Sequence, residues 1–73
     1  MSTNQLTEGD ALALEQMVDM YGLPTVTAAL AVICEMKAEH MRVNWQEPTR
    51  GRYWTRASIA LTKAEHAVTR ILE

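Results

Sequence analysis

Residues 25–45 read TVTAALAVICEMKAEHMRVNW, the longest apolar-periodic stretch in the chain, and its reading decides the fold. At ~100° per residue, Val26, Ala29, Leu30, Ile33, Cys34 and Met41 project onto one side of a helix. Val32, Met36 and Val43 widen that side to an arc of roughly 200°. A surface helix needs an apolar stripe only a little over ~100° wide. The spacing therefore predicts a central helix with more than one neighbour. Its narrow outer side is formed by Ala28, Ala31, Glu35, Ala38, Glu39 and Arg42. Ala, Leu, Met, Glu and Lys dominate the stretch, and all are good helix formers.

The C-terminal half of the stretch breaks the pattern. Lys37, His40 and Asn44 project onto the same side as Val26, Leu30 and Ile33, and Trp45 follows directly. Polar groups in line with a core stripe are either buried with partners or line a cleft. A helix end emerging from the core, with Lys37 snorkelling its ammonium to water, accounts for them structurally. A partner-facing polar patch accounts for them functionally, and makes Lys37, His40, Asn44 and Trp45 candidate binding residues. Cys34, on the apolar side, reads as a buried thiol acting as a small hydrophobe. The tetrapeptide KAEH occurs twice, at residues 37–40 and 63–66. Helical carboxylate metal sites use Glu-x-x-His so that both ligands share a face. Adjacent Glu and His diverge by ~100°, so the repeat predicts no metal site and no cofactor.

Outward from the central helix, both flanks are marked by stop signals. Thr7 is placed as an N-cap with Asp10 at the third helical position, and Leu6 can staple to Ala11. A first helix then runs to Tyr21 with Ala11, Leu14, Met17, Val18 and Tyr21 as its apolar stripe. Gly22 is free to take positive φ, and Leu23-Pro24 completes the stop. On the other side, Pro48 and Gly51 interrupt NWQEPTRG, so the third helix can open at Pro48 but is secure only from Arg52. Its stripe is Tyr53, Trp54, Ala57, Leu61, Ala64, Val68, Ile71 and Leu72, with Ile59 outside it. No segment alternates as a strand does. The expectation is an all-α fold, one domain over 1–73 with residues 1–6 frayed. It comprises three helices near 8–21, 25–44 and 52–71, as a helix corner plus an antiparallel helix pair in a dimeric bundle.

Of the 73 residues 48% are hydrophobic, but ten are Ala and none is Phe, so side chains able to fill a core are few. A chain this short is marginal as a monomer without a staple, and one cysteine supplies no disulfide. A homodimer is expected, with Val32, Met36, Val43 and Ile59 as contributors. The formal charge of −2 implies no partner by itself. Its distribution is uneven: Glu8, Asp10, Glu15 and Asp19 precede any Lys or Arg, whereas Arg50, Arg52 and Arg56 cluster without an acid. The segment TRGRYWTR, residues 49–56, has the composition of a surface that grips phosphates and stacks on bases. The simpler reading pairs its arginines with the acidic first helix. A lone thiol, a polar N-terminus without an apolar h-region and no apolar run near ~20 residues predict a cytoplasmic, non-membrane protein.

Three resemblances bear on the corner. LEQMVDMYGLPTVTAAL, residues 14–30, resembles a helix-turn-helix, but its second helix opens TVTAALAV with nothing to reach a phosphate or a base edge. Met20-Tyr21-Gly22-Leu23 resembles a rearranged form of the loop of ubiquitin-associated domains. The chain is also similar to small uncharacterised bacterial and phage-borne proteins. The similarity rests on Tyr21-Gly22-Leu23, on Ile33-Cys34 with Lys37-Ala38-Glu39-His40, and on Asn44-Trp45-Gln46. That resemblance implies no activity. One placed histidine and no Ser or Asp in partnership with it argue against an enzyme. The expected function is a helical interaction module, an accessory or regulatory protein of mobile-element type docking on a protein partner. A nucleic-acid-binding regulator using Arg50, Arg52 and Arg56 is the alternative.

Overall fold

A computed structural model describes residues 5–43 and 48–73. Three helices follow in order: α1 over Glu8–Tyr21, α2 over Leu23–Val43 and α3 over Pro48–Leu72. The expected Thr7 cap is present, its side-chain oxygen accepting from the Asp10 amide at 3.1 Å. Gly22 has φ 93°, a conformation that a Cβ makes costly, and its amide closes α1 by donating to the Val18 carbonyl at 2.8 Å. The chain direction turns by 116° there. α2 begins at once, at Leu23, two residues before the sequence pattern opens. α3 begins at Pro48, four residues earlier than Arg52, because Gly51 is accommodated inside the helix.

The reason lies in how α2 and α3 pack. They form an extensive antiparallel pair, whereas α1 touches only α2, loosely. Along α2 the buried residues are Thr27, Ala31, Cys34 and Ala38. On α3 they are Gly51 and Ser58, with Trp54, Leu61, Glu65, Val68 and Thr69 half-buried. The α2 series, and the α3 series through Val68, step by three and four residues, as a two-helix seam does. The α2 seam carries small side chains, and the backbones come close: a Cβ on Gly51 would stand 3.1 Å from Arg42 Cγ and 3.6 Å from the Ala38 carbonyl oxygen. Polar atoms in the seam are satisfied. Thr27 donates to the Leu23 carbonyl at 2.8 Å, and Ser58 donates across to Glu35 Oε1 at 3.4 Å. Thr55, Thr62 and Thr69, seven residues apart, each donate back to the carbonyl one turn earlier.

This orientation corrects the helical-wheel reading of α2. Ala31 and Ala38, assigned to the outer side, lie in the seam at 5% and 3% exposure. Leu30, Val32, Ile33, Met36 and Val43, assigned to the core, are all exposed. Cys34 is buried as expected. On α3, Trp54, Ala57, Leu61 and Val68 turn inward as predicted, whereas Tyr53, Ala64, Ile71 and Leu72 are exposed. No residue of α1 is buried. Among the described residues no single helix is long and apolar enough to cross a membrane, and α1 and α2 end to end are sharply bent.

Two substitutions on one helix separate the orientations. Ala38→Leu, forced into the seam, should cost about 1–3 kcal/mol, read by urea unfolding in dilute solution. Met36→Ala, on the outer face, should stay within about 0.5 kcal/mol. The opposite ranking would restore the face that hydropathy favours.

Candidate functional site

The end of the α2–α3 pair where α2 finishes and α3 begins gathers some of the polar residues singled out in the sequence. Lys37, His40 and Met41 sit on the last two turns of α2, and Thr49, Arg50, Tyr53 and Trp54 on the first turns of α3. Two shallow grooves meet at Met41. One, about 350 Å³, is lined by Ile33, Met36, Lys37, His40 and Met41. The other, about 460 Å³, is lined by Met41, Thr49, Arg50, Tyr53 and Trp54. The wall between them is built from the Lys37 ammonium over the Trp54 ring, with Nζ 5.4 Å from the ring centroid. Trp54 is held in turn by Tyr53, edge-on at 5.2 Å and 87°. Lys37 thus reaches past the apolar surface to an aromatic face, which orients its charge without burying it.

Of the seven expected binding residues, the structure brings Lys37, His40 and Arg50 to this face. Asn44 and Trp45 lie outside the described residues. Arg52 and Arg56 are exposed on α3, but not beside Arg50. Residues two apart on a helix point about 160° away from each other, so Arg50 enters the groove with Trp54 while Arg52 and Arg56 occupy the far side. The three arginines therefore do not make one patch. Nor do they pair with α1: the two helices are not in contact, and among the described residues no ion pair joins them.

Tyr53 and Trp54 both read as core in the sequence; the structure lines the second groove with both, and only Trp54 also turns into the seam. Their adjacency is the signal, since neighbours 100° apart cannot both enter one seam. Tyr53 is exposed and Trp54 half-buried. On the opposite flank of the seam a third groove, lined in part by Glu35, Glu39, Arg42, Thr55 and Ser58, is polar. Its Glu39 and Arg42 pair at 2.6 Å on the surface. Among the described residues no group of three or more His, Cys, Asp or Glu is arranged to hold a metal ion. The two KAEH segments diverge: His40 lines the first groove, while exposed His66 lies 3.7 Å from Glu65.

Comparison with family models, with curated proteins and with solved structures finds no match for this chain.

The lysine–tryptophan wall has a measurable weight. Lys37→Met keeps the stem and removes the charge, and should cost about 0.5–1 kcal/mol by urea unfolding. Trp54→Ala also removes packing in the seam and should cost about 3 kcal/mol or more. Equal costs would mean that Trp54 contributes nothing to the seam beyond its cation contact.

Proposed function

We propose that this chain is a helical interaction module that acts by docking on a protein partner rather than by catalysis. One observation carries the reading: the uncovered face of α2 is more apolar than the face it buries. Val32, Ile33, Met36 and Val43 are between 46% and 65% exposed, whereas the buried series contributes Thr27, Ala31, Cys34 and Ala38. Large apolar residues grouped on one helix face, with Glu39 among them, favour a partner over open water. The groove beside it supports the same reading. Methionines at positions 36 and 41 give a surface that adapts to a partner's shape, and Lys37, His40 and Trp54 add directional contacts at its rim.

An accessory or regulatory role follows naturally from such a module, because its surface offers recognition without an arranged acid–base or nucleophilic pair. The nucleic-acid alternative draws on Arg52 and Arg56, which stay together on the exposed side of α3 while Arg50 is divided from them.

The test compares capture with folding. Immobilised wild-type chain should retain a defined protein in stoichiometric amount from lysate. The Val32→Glu, Met36→Glu double variant should retain none while its helical circular dichroism is unchanged. His40→Ala should abolish capture and leave the melting temperature within a few degrees. A parallel loss of capture and melting temperature would make the histidine structural, and no capture by the wild type would remove the docking reading.

A further inference from the structure

The chain exposes far more surface than its mass requires. Its accessible area is 6169 Å², against about 4,500 Å² for a compact monomer of its size. Its radius of gyration is 14.2 Å, against about 11 Å. Even with a third of the area difference assigned to the chain ends, two copies together hold an excess of about 2,000 Å². Obligate homodimer interfaces begin at that size.

Two exposed stripes show how a second copy is recognised. On α1, Glu8, Leu12, Glu15 and Asp19 step by four, three and four residues and fall within about 60° of one another. On α3, Arg52, Arg56, Ile59, Lys63, His66 and Arg70 step by four and three and fall within about 80°. Every one of these residues is exposed. The first stripe is acidic and the second basic, and each carries one large aliphatic residue among its charges: Leu12 at 58% and Ile59 at 52% exposure. Laid antiparallel with Leu12 opposite Ile59, the stripes match position for position. Glu8 then meets Lys63, Glu15 meets Arg56 and Asp19 meets Arg52. A parallel alignment on the same central pair brings an acid opposite only one basic residue, His66.

A second observation points to the same ends. Asp19 lies near the C-terminus of α1, whose last turn holds no basic residue, and Arg52 lies in the second turn of α3, whose first turn holds no acid. Charges of these signs oppose the helix dipoles. Opposite charge brought by another chain relieves both, and the antiparallel register brings Asp19 to Arg52. Within one chain α1 and α3 do not touch.

We propose that a second copy of this chain covers these stripes: α1 of each subunit lies antiparallel along α3 of the other, aligned by Leu12 on Ile59 and by the three flanking charge pairs. The two-fold axis repeats the contact, so each dimer holds it twice. Burial of apolar area supplies the driving force, and the charges set the register. This surface is separate from the outer face of α2, so it stands or falls independently of the docking reading above.

Charge reversal in the full chain tests it. One variant carries Glu15→Lys and Asp19→Lys, the other Arg52→Glu and Arg56→Glu. All four sites are exposed, and circular dichroism verifies that the helices persist. At low salt, sedimentation equilibrium should give the wild type twice the mass of one chain. Each variant alone should dissociate at least about tenfold more readily. An equimolar mixture of the two should regain wild-type affinity, because in the mixed dimer both contacts are again complementary. A chain carrying all four reversals should do the same by itself. A wild type of single-chain mass at every concentration, a dimer indifferent to the reversals, or a mixture that stays dissociated would overturn the proposal. So would rescue in the fourfold variant without rescue in the mixture, since that result belongs to α1 closing on its own α3. Wild-type retention of random duplex DNA, lost in the arginine variant with no change of mass, would assign the basic stripe to phosphate instead.

Discussion

The close approach of α2 and α3 is the constraint on which everything else in the structure depends. Where a Cβ on Gly51 would stand 3.6 Å from the Ala38 carbonyl oxygen, no large side chain fits between the backbones. Ala31, Cys34 and Ala38 fit there, as does Ser58 from α3. Helices packed at such short range gain dispersion contacts between backbones, but they remove little side-chain area from water. The large apolar residues of α2 are displaced to the side facing away from α3. Their exposure is a direct geometrical consequence of the seam.

The signals that depend on backbone chemistry were legible in the sequence. Thr7 caps α1 as its position relative to Asp10 requires, and Gly22 takes the positive φ that the stop signal implies. All-α architecture, three helices and the partnership of α2 with α3 follow from those punctuation marks and from helical periodicity. The orientation of α2 did not, because hydropathy weights residues by size. On that scale Leu30, Ile33 and Met36 outweigh Ala31 and Ala38, although small residues are what close packing selects. A different signal was present. Thr27 and Cys34 are seven residues apart, as are Ala31 and Ala38, and on α3 so are Gly51 and Ser58. Superimposed seven-residue series of small side chains mark a seam better than mean hydropathy does.

The candidate site was half legible for a related reason. Lys37 and His40 stood out because they interrupt an apolar stripe, and the structure puts both beside a groove. Trp54 did not, because an aromatic residue on an amphipathic helix reads first as core. It serves both surfaces: one side closes the α2–α3 seam while the ring face receives the Lys37 ammonium. The Arg-rich segment misled in the opposite direction. Composition places Arg50, Arg52 and Arg56 together, but continuous helix from Pro48 distributes them around α3. Gly51, which weakens a helix in isolation, sits there against Ala38 and Arg42, where a Cβ would press on the Arg42 side chain.

These features bear jointly on α1. A helix of 14 residues with nothing buried gains little from its own propensity, since isolated helices of that length are marginal in water. Its cap and Gly22 fix where it starts and stops, and neither fixes what it lies against. Its contact with α2 is loose. Apolar residues that favour association are non-directional, so Leu14, Met17 and Tyr21 alone would let α1 settle in many orientations. The charged side chains reduce that freedom, because like charges brought together in a wrong alignment cost energy while a correct one pairs them. In an otherwise nearly neutral chain, all the acids of α1 stand apart from all the cations of α3. This separation gives a weakly held helix a defined direction once it meets its counterpart, and the seam that drives apolar surface outward supplies the reason to meet it.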